Sequence, residues 1–237
     1  PFNIGRYWAW YEEFPKNYSD SLERKYLKTD YRIASGMDYT IFDDNVGYIR
    51  CKSFLNNTGA GNLDNILLYM QPCRGLIIDI RNNGGGNVNN AEELAARFTN
   101  EELLVGYIQH KTGTRHDDFS SLQPQHLKPG KGIRWQKPVI ILTNRSVYSA
   151  ANEFVKYMKC CPKAKVVGDK TGGGAGLPFS SELPNGWSIR FSACPMYDKN
   201  KQMTEFGIDP DYKVDISSSD FSRGRDTIIE FARQLLH

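Results

Sequence analysis

The stretch Gly75-Leu76-Ile77-Ile78-Asp79-Ile80-Arg81-Asn82-Asn83-Gly84-Gly85-Gly86 decides the fold. Its first six residues are almost continuously apolar, with no in-out alternation, which predicts a strand covered on both faces, as in a parallel sheet. Three glycines then break the strand, and the spacing from about Asn89 to Phe98 predicts a helix. The same grammar recurs downstream. Pro138 to Thr143 reads as a second buried strand, and Asn144-Arg145-Ser146-Val147-Tyr148 leads into a helix from about Ser149 to Met158.

Working outward, Tyr39–Phe42 and Gly47–Ser53 flank Asp43-Asp44-Asn45 and read as a hairpin. Leu63, Ile66, Leu67 and Met70 have helical spacing, with Pro72 as a stop. Leu103 to Gln109 and Val166-Val167-Gly168 are further strand candidates, and Asp226 to Leu236 a closing helix. Phe179–Leu183 and Trp187–Ser192 pair across Pro184-Asn185-Gly186, whose Asn-Gly step suits a tight hairpin turn. Lys111 to Trp135, with Pro124 and Pro129, reads as one long loop, a candidate for lining a cleft. The first thirty residues, with Trp8, Trp10, Tyr11, Phe14, Tyr18 and Tyr26, read as an irregular aromatic arm in which Pro15 interrupts any helix. The expectation is therefore an α/β chain with residues 1–30 as arm, or remnant of an upstream helical region, and 31–237 as one core.

Composition narrows the function classes. A chain of 237 residues, 40% hydrophobic, has enough apolar matter for a sizeable core. The 30 basic residues exceed the 27 acidic ones by only three, and no dense basic run marks nucleic-acid binding. No apolar run approaches the roughly 20 residues that span a bilayer. Cys51, Cys73, Cys160, Cys161 and Cys194 show no metal-ligand spacing, and an odd count cannot close entirely into disulfides. They are expected to be small buried hydrophobes. No cofactor or metal is expected.

Both strand-turn-helix units place backbone N–H groups at a helix start, where an anionic intermediate would be stabilised. The Gly84-Gly85-Gly86 turn lets backbone approach a ligand closely, and Ser149 sits where its hydroxyl would project from a helix start. Each element also has a plainer reading: a triple glycine can be a tight turn or phosphate cradle, and a helix-opening serine is usually an N-cap.

A family resemblance adds to this. GLIIDIRNNGGG (75–86) resembles the strand-and-glycine signature of the tricorn and C-terminal-processing peptidases, and NRSVYSAANEF (144–154) their nucleophile segment. VGDKTGGGAGLP (167–178), ELPNGW (182–187) and EFGIDPD (205–211) come next in the family's order, so the resemblance spans roughly residues 31–214. It implies a crotonase/ClpP-like spiral of β-β-α units and a peptide or protein substrate; the PDZ domain that C-terminal-processing relatives commonly add is not expected here, because thirty residues before Tyr31 are too few to build one. It makes Ser149 the nucleophile, gives the oxyanion donors to backbone N–H groups of Gly85 or Gly86 and of Ala150, and gives Glu205 an orienting role. Gly84 is expected to shape the turn, and Asp79 to close the strand or to brace Arg81 by a charge-assisted hydrogen bond.

The base departs from one branch of the family. Where C-terminal-processing relatives carry a catalytic lysine, this chain has Gly174; Lys170, four residues earlier, is a weak substitute base and reads rather as a solvated surface lysine. The tricorn-like branch uses a histidine in an Asp-Gly-His segment that His110, His116, His126 and His237 do not match. Because Pro1-Phe2-Asn3 resembles the residues immediately downstream of that segment in tricorn-like relatives, the base is expected just upstream of Pro1, along with any secretion signal or lipid anchor. An envelope, periplasmic or extracellular location is what the resemblance implies. The alternatives are a catalytically inactive relative that binds peptides or small ligands and, on fold analogy alone, an acyl-CoA enzyme of the crotonase type.

Overall fold

The computed structural model describes residues 14–237. Trp8, Trp10, Tyr11 and the Pro1-Phe2-Asn3 start lie outside the described residues. The predicted buried strands assemble into one parallel-rich sheet. In chain order its strands are β1 (Arg32–Ala34), β2 (Met37–Ile41), β3 (Val46–Cys51), β4 (Gly75–Asp79), β7 (Val139–Thr143), β8 (Ala164–Gly168) and β12 (Tyr212–Lys213). They lie side by side in that order; β1, β2 and β3 pair antiparallel, and every later pair is parallel. The mixed α/β expectation agrees with this sheet.

Alternate side chains of the central strands feed two cores. Leu76, Ile78, Val139 and Ile141 face one side, where they meet helices α2 (Ala60–Met70), α3 (Val88–Ala95) and α4 (Ala150–Met158). Ile77, Ile140 and Leu142 face the other, against Leu27 of helix α1 (Asp20–Leu27) and Ile228, Ile229 and Ala232 of helix α6 (Thr227–Leu235). This two-sided burial is why the strands read as uninterrupted apolar runs. A short helix α5 (Ser218–Ser222) precedes α6.

Two smaller sheets stand on the rim. β5 (Leu103–Ile108) pairs antiparallel with β6 (Gln123–Leu127) and β11 (Met196–Tyr197), and β9 (Phe179–Glu182) with β10 (Ser188–Phe191). The β9–β10 hairpin falls where Asn185-Gly186 predicts it, with the Phe179 and Phe191 rings 5.5 Å apart.

Three expectations need correction. The arm is not irregular throughout: Ser19 caps α1, and Leu22 and Leu27 are buried by it. The stretch from Lys111 to Trp135 is not one loop, because Gln123–Leu127 pairs with β5 and buries Leu127. Cys160 and Cys194 are half-buried rather than core, while Cys51, Cys73 and Cys161 are buried, and all five are free thiols.

A buried charge cluster pins the carboxyl end of β4. Arg81 and Asp79 are fully buried and paired at 2.6 Å, as expected from the sequence, and a second carboxylate, Asp226, meets Arg81 at 2.9 Å. Tyr48 donates its hydroxyl to Asp79, and Arg50 donates to the Asp79 carbonyl and pairs with Glu23 of α1. Burial opposes ionisation of Asp79, yet the guanidinium groups of Arg81 and Arg50 hold its carboxyl below the ordinary range. The residue that caps α6 is therefore also a partner of the strand that carries the glycine turn, since Asp226 accepts from the N–H groups of Ile228 and Ile229.

Candidate active site

β4 and β7 are parallel neighbours, so the turns that leave their carboxyl ends emerge side by side, the usual place for a site in an open α/β sheet. The first turn is Asn82 to Gly86, leading into α3; the second is Asn144 to Ser149, leading into α4. Tyr148 N–H donates to the Asn83 carbonyl at 3.0 Å, and Asn144 donates to Asn82 Oδ1 at 2.7 Å and accepts from the Asn82 N–H at 3.0 Å. The Asn144 amide, donor and acceptor at once, thus stitches the two turns together.

Ser149 occupies the N-cap position of α4, but its side chain caps nothing. Its backbone sits at φ 57°, ψ −124°, a conformation that a non-glycine residue adopts at a strain of about 1–3 kcal/mol. That strand-to-helix elbow lifts a hydroxyl clear of the helix instead of folding it back onto N–H groups. Among the described residues the hydroxyl has no hydrogen-bond partner, and the plainer N-cap reading is set aside by this geometry.

Gly85 lies directly against the elbow. A β-carbon added there would stand 2.8 Å from Ser149 Cβ and 2.9 Å from the Ala150 nitrogen, a close approach only glycine permits. Its N–H is engaged, donating to Asn83 Oδ1 at 2.9 Å, and its carbonyl accepts from Phe54 N–H at 2.9 Å. The N–H groups of Gly86 and Ala150 have no partner among the described residues. Of the two glycines expected to offer an oxyanion donor, Gly85 and Gly86, only Gly86 thus has an N–H left open.

Two cavities meet at Ser149. One, of about 490 Å³, is lined by Gly84, Gly86, Tyr148, Gly174, Phe191 and Ser192 among others. The other, of about 290 Å³, is lined by Val88, Ala150, Glu153, Ala175, Leu177 and Met196 among others. Gly86, Ser149, Gly174, Pro178 and Arg190 belong to both. Glu153, one turn after Ser149, is buried and paired with Lys156 at 2.5 Å. No motif of the sequence marks that pair as part of the site, although its i, i+3 spacing on α4 is legible.

Glu205 reaches this cleft at one remove. Its carbonyl accepts from Gly174 N–H at 2.9 Å, while Gly173, the preceding residue, accepts from Ser149 N–H at 2.8 Å. Its carboxylate accepts from Ser192 Oγ at 3.2 Å, and Ser192 lines the larger cavity. Burial pushes the Glu205 carboxyl up from its ordinary value, with the Ser192 hydrogen bond opposing.

Gly174 lies where a lysine would stand in one branch of the resemblance. Its φ is +76°, and a β-carbon would fall 2.2 Å from the Tyr148 ring, so no side chain fits. Lys170 is half-buried and lines neither cavity, and none of the four histidines lines them. His110 instead contacts the Cys194 thiol at 3.5 Å, and His237 lies beside Arg74 and Asp44. Among the described residues no group of histidine, cysteine, aspartate or glutamate is arranged to hold a metal ion.

Comparison with known proteins agrees with the fold and with the family resemblance. Residues 45–214 match the model of peptidase family S41. A probable CtpA-like serine protease of Staphylococcus epidermidis is 31% identical over 150 residues, 62% of this chain and 29% of that protein. The tricorn protease of Thermoplasma acidophilum is 25% identical over 79% of this chain and 16% of its own length. A crystal structure of a candidate peptidase from Parabacteroides merdae superposes with a TM-score of 0.93 at 53% identity, covering 97% of this chain and 73% of that one. The chain thus spans less than a third of these two curated relatives. With the strand-and-turn signature inside the matched segment and Ser149 at its elbow, the chain belongs to peptidase family S41.

Proposed function

We propose that this chain is the core of a serine peptidase of the C-terminal-processing type, acting on peptide or protein substrates through Ser149. Ser149 Oγ attacks the carbonyl carbon of the scissile bond as a base takes its proton, and the carbonyl electrons move onto oxygen. The N–H groups of Gly86 and Ala150 receive that oxyanion. Collapse breaks the C–N bond, the leaving amine takes the proton from the base, and an acyl-enzyme remains. Water then attacks the ester and restores the serine.

The observation that carries this reading is the uncapped Ser149 hydroxyl on a strained elbow, pressed against Gly85 and beside two N–H groups with no partner among the described residues. For the base we propose a histidine that precedes residue 1 in the full-length protein, since no histidine among the described residues lines the cleft. Glu205 is assigned an orienting role through Ser192 and the Gly173–Gly174 turn. An envelope or extracellular location belongs to the same proposal; among the described residues no helix is long and apolar enough to cross a membrane.

In the full-length protein, Ser149→Ala is expected to abolish labelling by a fluorophosphonate probe and to lower peptide cleavage about 10⁴-fold or more. Labelling that survives the substitution removes Ser149 from the role. The glycine at 174 and the histidine-free cleft favour one second reading, an inactive relative that binds peptides. Wild-type protein that binds peptides at the cleft, yet neither cleaves them nor takes up the probe, would establish it.

A further inference from the structure

Asn83 is fully buried and makes contacts in three directions. Its side-chain Oδ1 accepts from Gly85 N–H at 2.9 Å, its Nδ2 donates to the Cys51 carbonyl at the end of β3 at 3.0 Å, and its own carbonyl accepts from Tyr148 N–H at 3.0 Å. The amide orientation is set by these partners: reversing it would set N–H against N–H at Gly85 and oxygen against oxygen at Cys51. One residue thereby joins the sheet, the glycine turn and the residue before Ser149.

We propose that Asn83 is the positioning residue of the oxyanion site, acting through Gly85 on the Gly86 N–H. Three consecutive glycines have wide backbone freedom, and rotation of the peptide between Gly85 and Gly86 would turn a donor away from Ser149 and an acceptor toward it. Two bonds frame that peptide. Phe54 N–H holds the Gly85 carbonyl and so opposes the rotation directly, while Asn83 Oδ1 holds the Gly85 N–H and so fixes the preceding peptide, from which the Gly85–Gly86 peptide is hung. The second bond also keeps the Gly85 N–H from competing for the oxyanion. An amide suits the place because both its donor and its acceptor are used at once; aspartate supplies only the acceptor, and serine is too short to span from Gly85 to Cys51.

This inference rests on Ser149 as nucleophile, and its test separates the two. In the full-length protein, inhibition by a peptide aldehyde, whose serine adduct carries an oxyanion, is compared with binding of the uncleaved peptide in a Ser149→Ala background. Asn83→Ala is expected to weaken aldehyde inhibition and lower kcat by about 30-fold or more, with KM and uncleaved-peptide affinity within about twofold. Asn83→Ser, a milder change, is expected to move the same way by about tenfold, and Asn83→Asp, which keeps the acceptor for Gly85, to recover most of the aldehyde affinity.

Unchanged aldehyde inhibition in a folded Asn83→Ala protein overturns the inference, as does parallel loss of aldehyde and peptide binding. Variants that all fail to fold overturn it too, since they assign Asn83 to the fold and not to the site. Wild-type protein inert to both aldehyde and fluorophosphonate instead sinks the nucleophile reading.

Discussion

The turn after β4 and the turn after β7 do the same topological job with opposite materials. Each leaves a buried parallel strand, opens a helix and brings backbone N–H groups to one cleft. The first gets its shape by having no side chains: Gly85 and Gly86 adopt φ of 100° and 139° without steric cost, and outside hydrogen bonds remove the freedom this leaves. In the second, Ser149 is forced to φ 57° despite its β-carbon, and the bonds from Ser149 N–H to Gly173 and from Tyr148 N–H to Asn83 hold it there. A permissive turn needs restraint, and a strained one needs clamps; here Asn83 serves both.

That contrast can be broken most severely at Gly85. Gly85→Ala puts a β-carbon 2.7–2.9 Å from backbone and side-chain atoms of residues 148–150 while demanding a positive φ. A loss of about 2–3 kcal/mol in chemical denaturation is expected, with peptidase activity falling below detection. Wild-type stability in this variant would mean that the turns do not touch as described.

The converse change should help the fold. Ser149→Gly relieves the elbow and is expected to be about 1 kcal/mol more stable than Ser149→Ala, which keeps the strain, though both are inactive. Equal melting of the two variants would deny that the elbow is strained at all.

A smaller effect distinguishes what braces only the serine turn. The Glu205 carboxyl is raised by burial above its ordinary value of 4.5, so the folded state holds the proton more tightly than the unfolded chain. Stability is then full at pH below 4.5 and declines as pH rises through the folded-state value. Glu205→Gln removes this decline: its melting temperature relative to wild type should be higher at pH 7 than at pH 3. An offset that does not change with pH would remove the Glu205 carboxyl as the cause.

The smallest effect is expected at the neighbour that touches neither turn partner. An added β-carbon at Gly84 meets nothing within 4 Å, and its φ is not positive, so Gly84→Ala should shift stability by less than about 0.5 kcal/mol. A loss as large as that of Gly85→Ala would show the whole glycine run, and not Gly85 alone, to be sterically required.

Much of this arrangement is legible in the residues. β4, β7 and their helices are marked by apolar runs ended by turn residues, and the hairpin by Asn185-Gly186, because burial and turn chemistry leave local traces. β6 does not: Gln-Pro-Gln-His-Leu has neither alternation nor β-branched residues, and it becomes a strand only through pairing with β5. Helix α1 does carry a local mark beneath the aromatic composition of the arm, since Ser19 is a good N-cap and Leu22 and Leu27 are its buried apolar residues. At the site, residue types suggest Ser149, Gly85, Gly86 and Ala150 but cannot say which N–H is left open. That depends on where the Asn83 side chain points, and its direction is fixed by Cys51 on another strand, a partner no local pattern reveals. Glu205 is likewise set by a turn packed from elsewhere.

The shared carboxylate of Asp226 ties the fate of the cleft to the tail of the chain. A protein cut before Asp226 would shed one short helix from the far face of the sheet, yet it would strip the Arg81 guanidinium of a counter-ion in a place water does not reach. Loss of that end of the chain, on the side of the sheet opposite α4, would thus act from behind, loosening the strand whose tip presents the glycines.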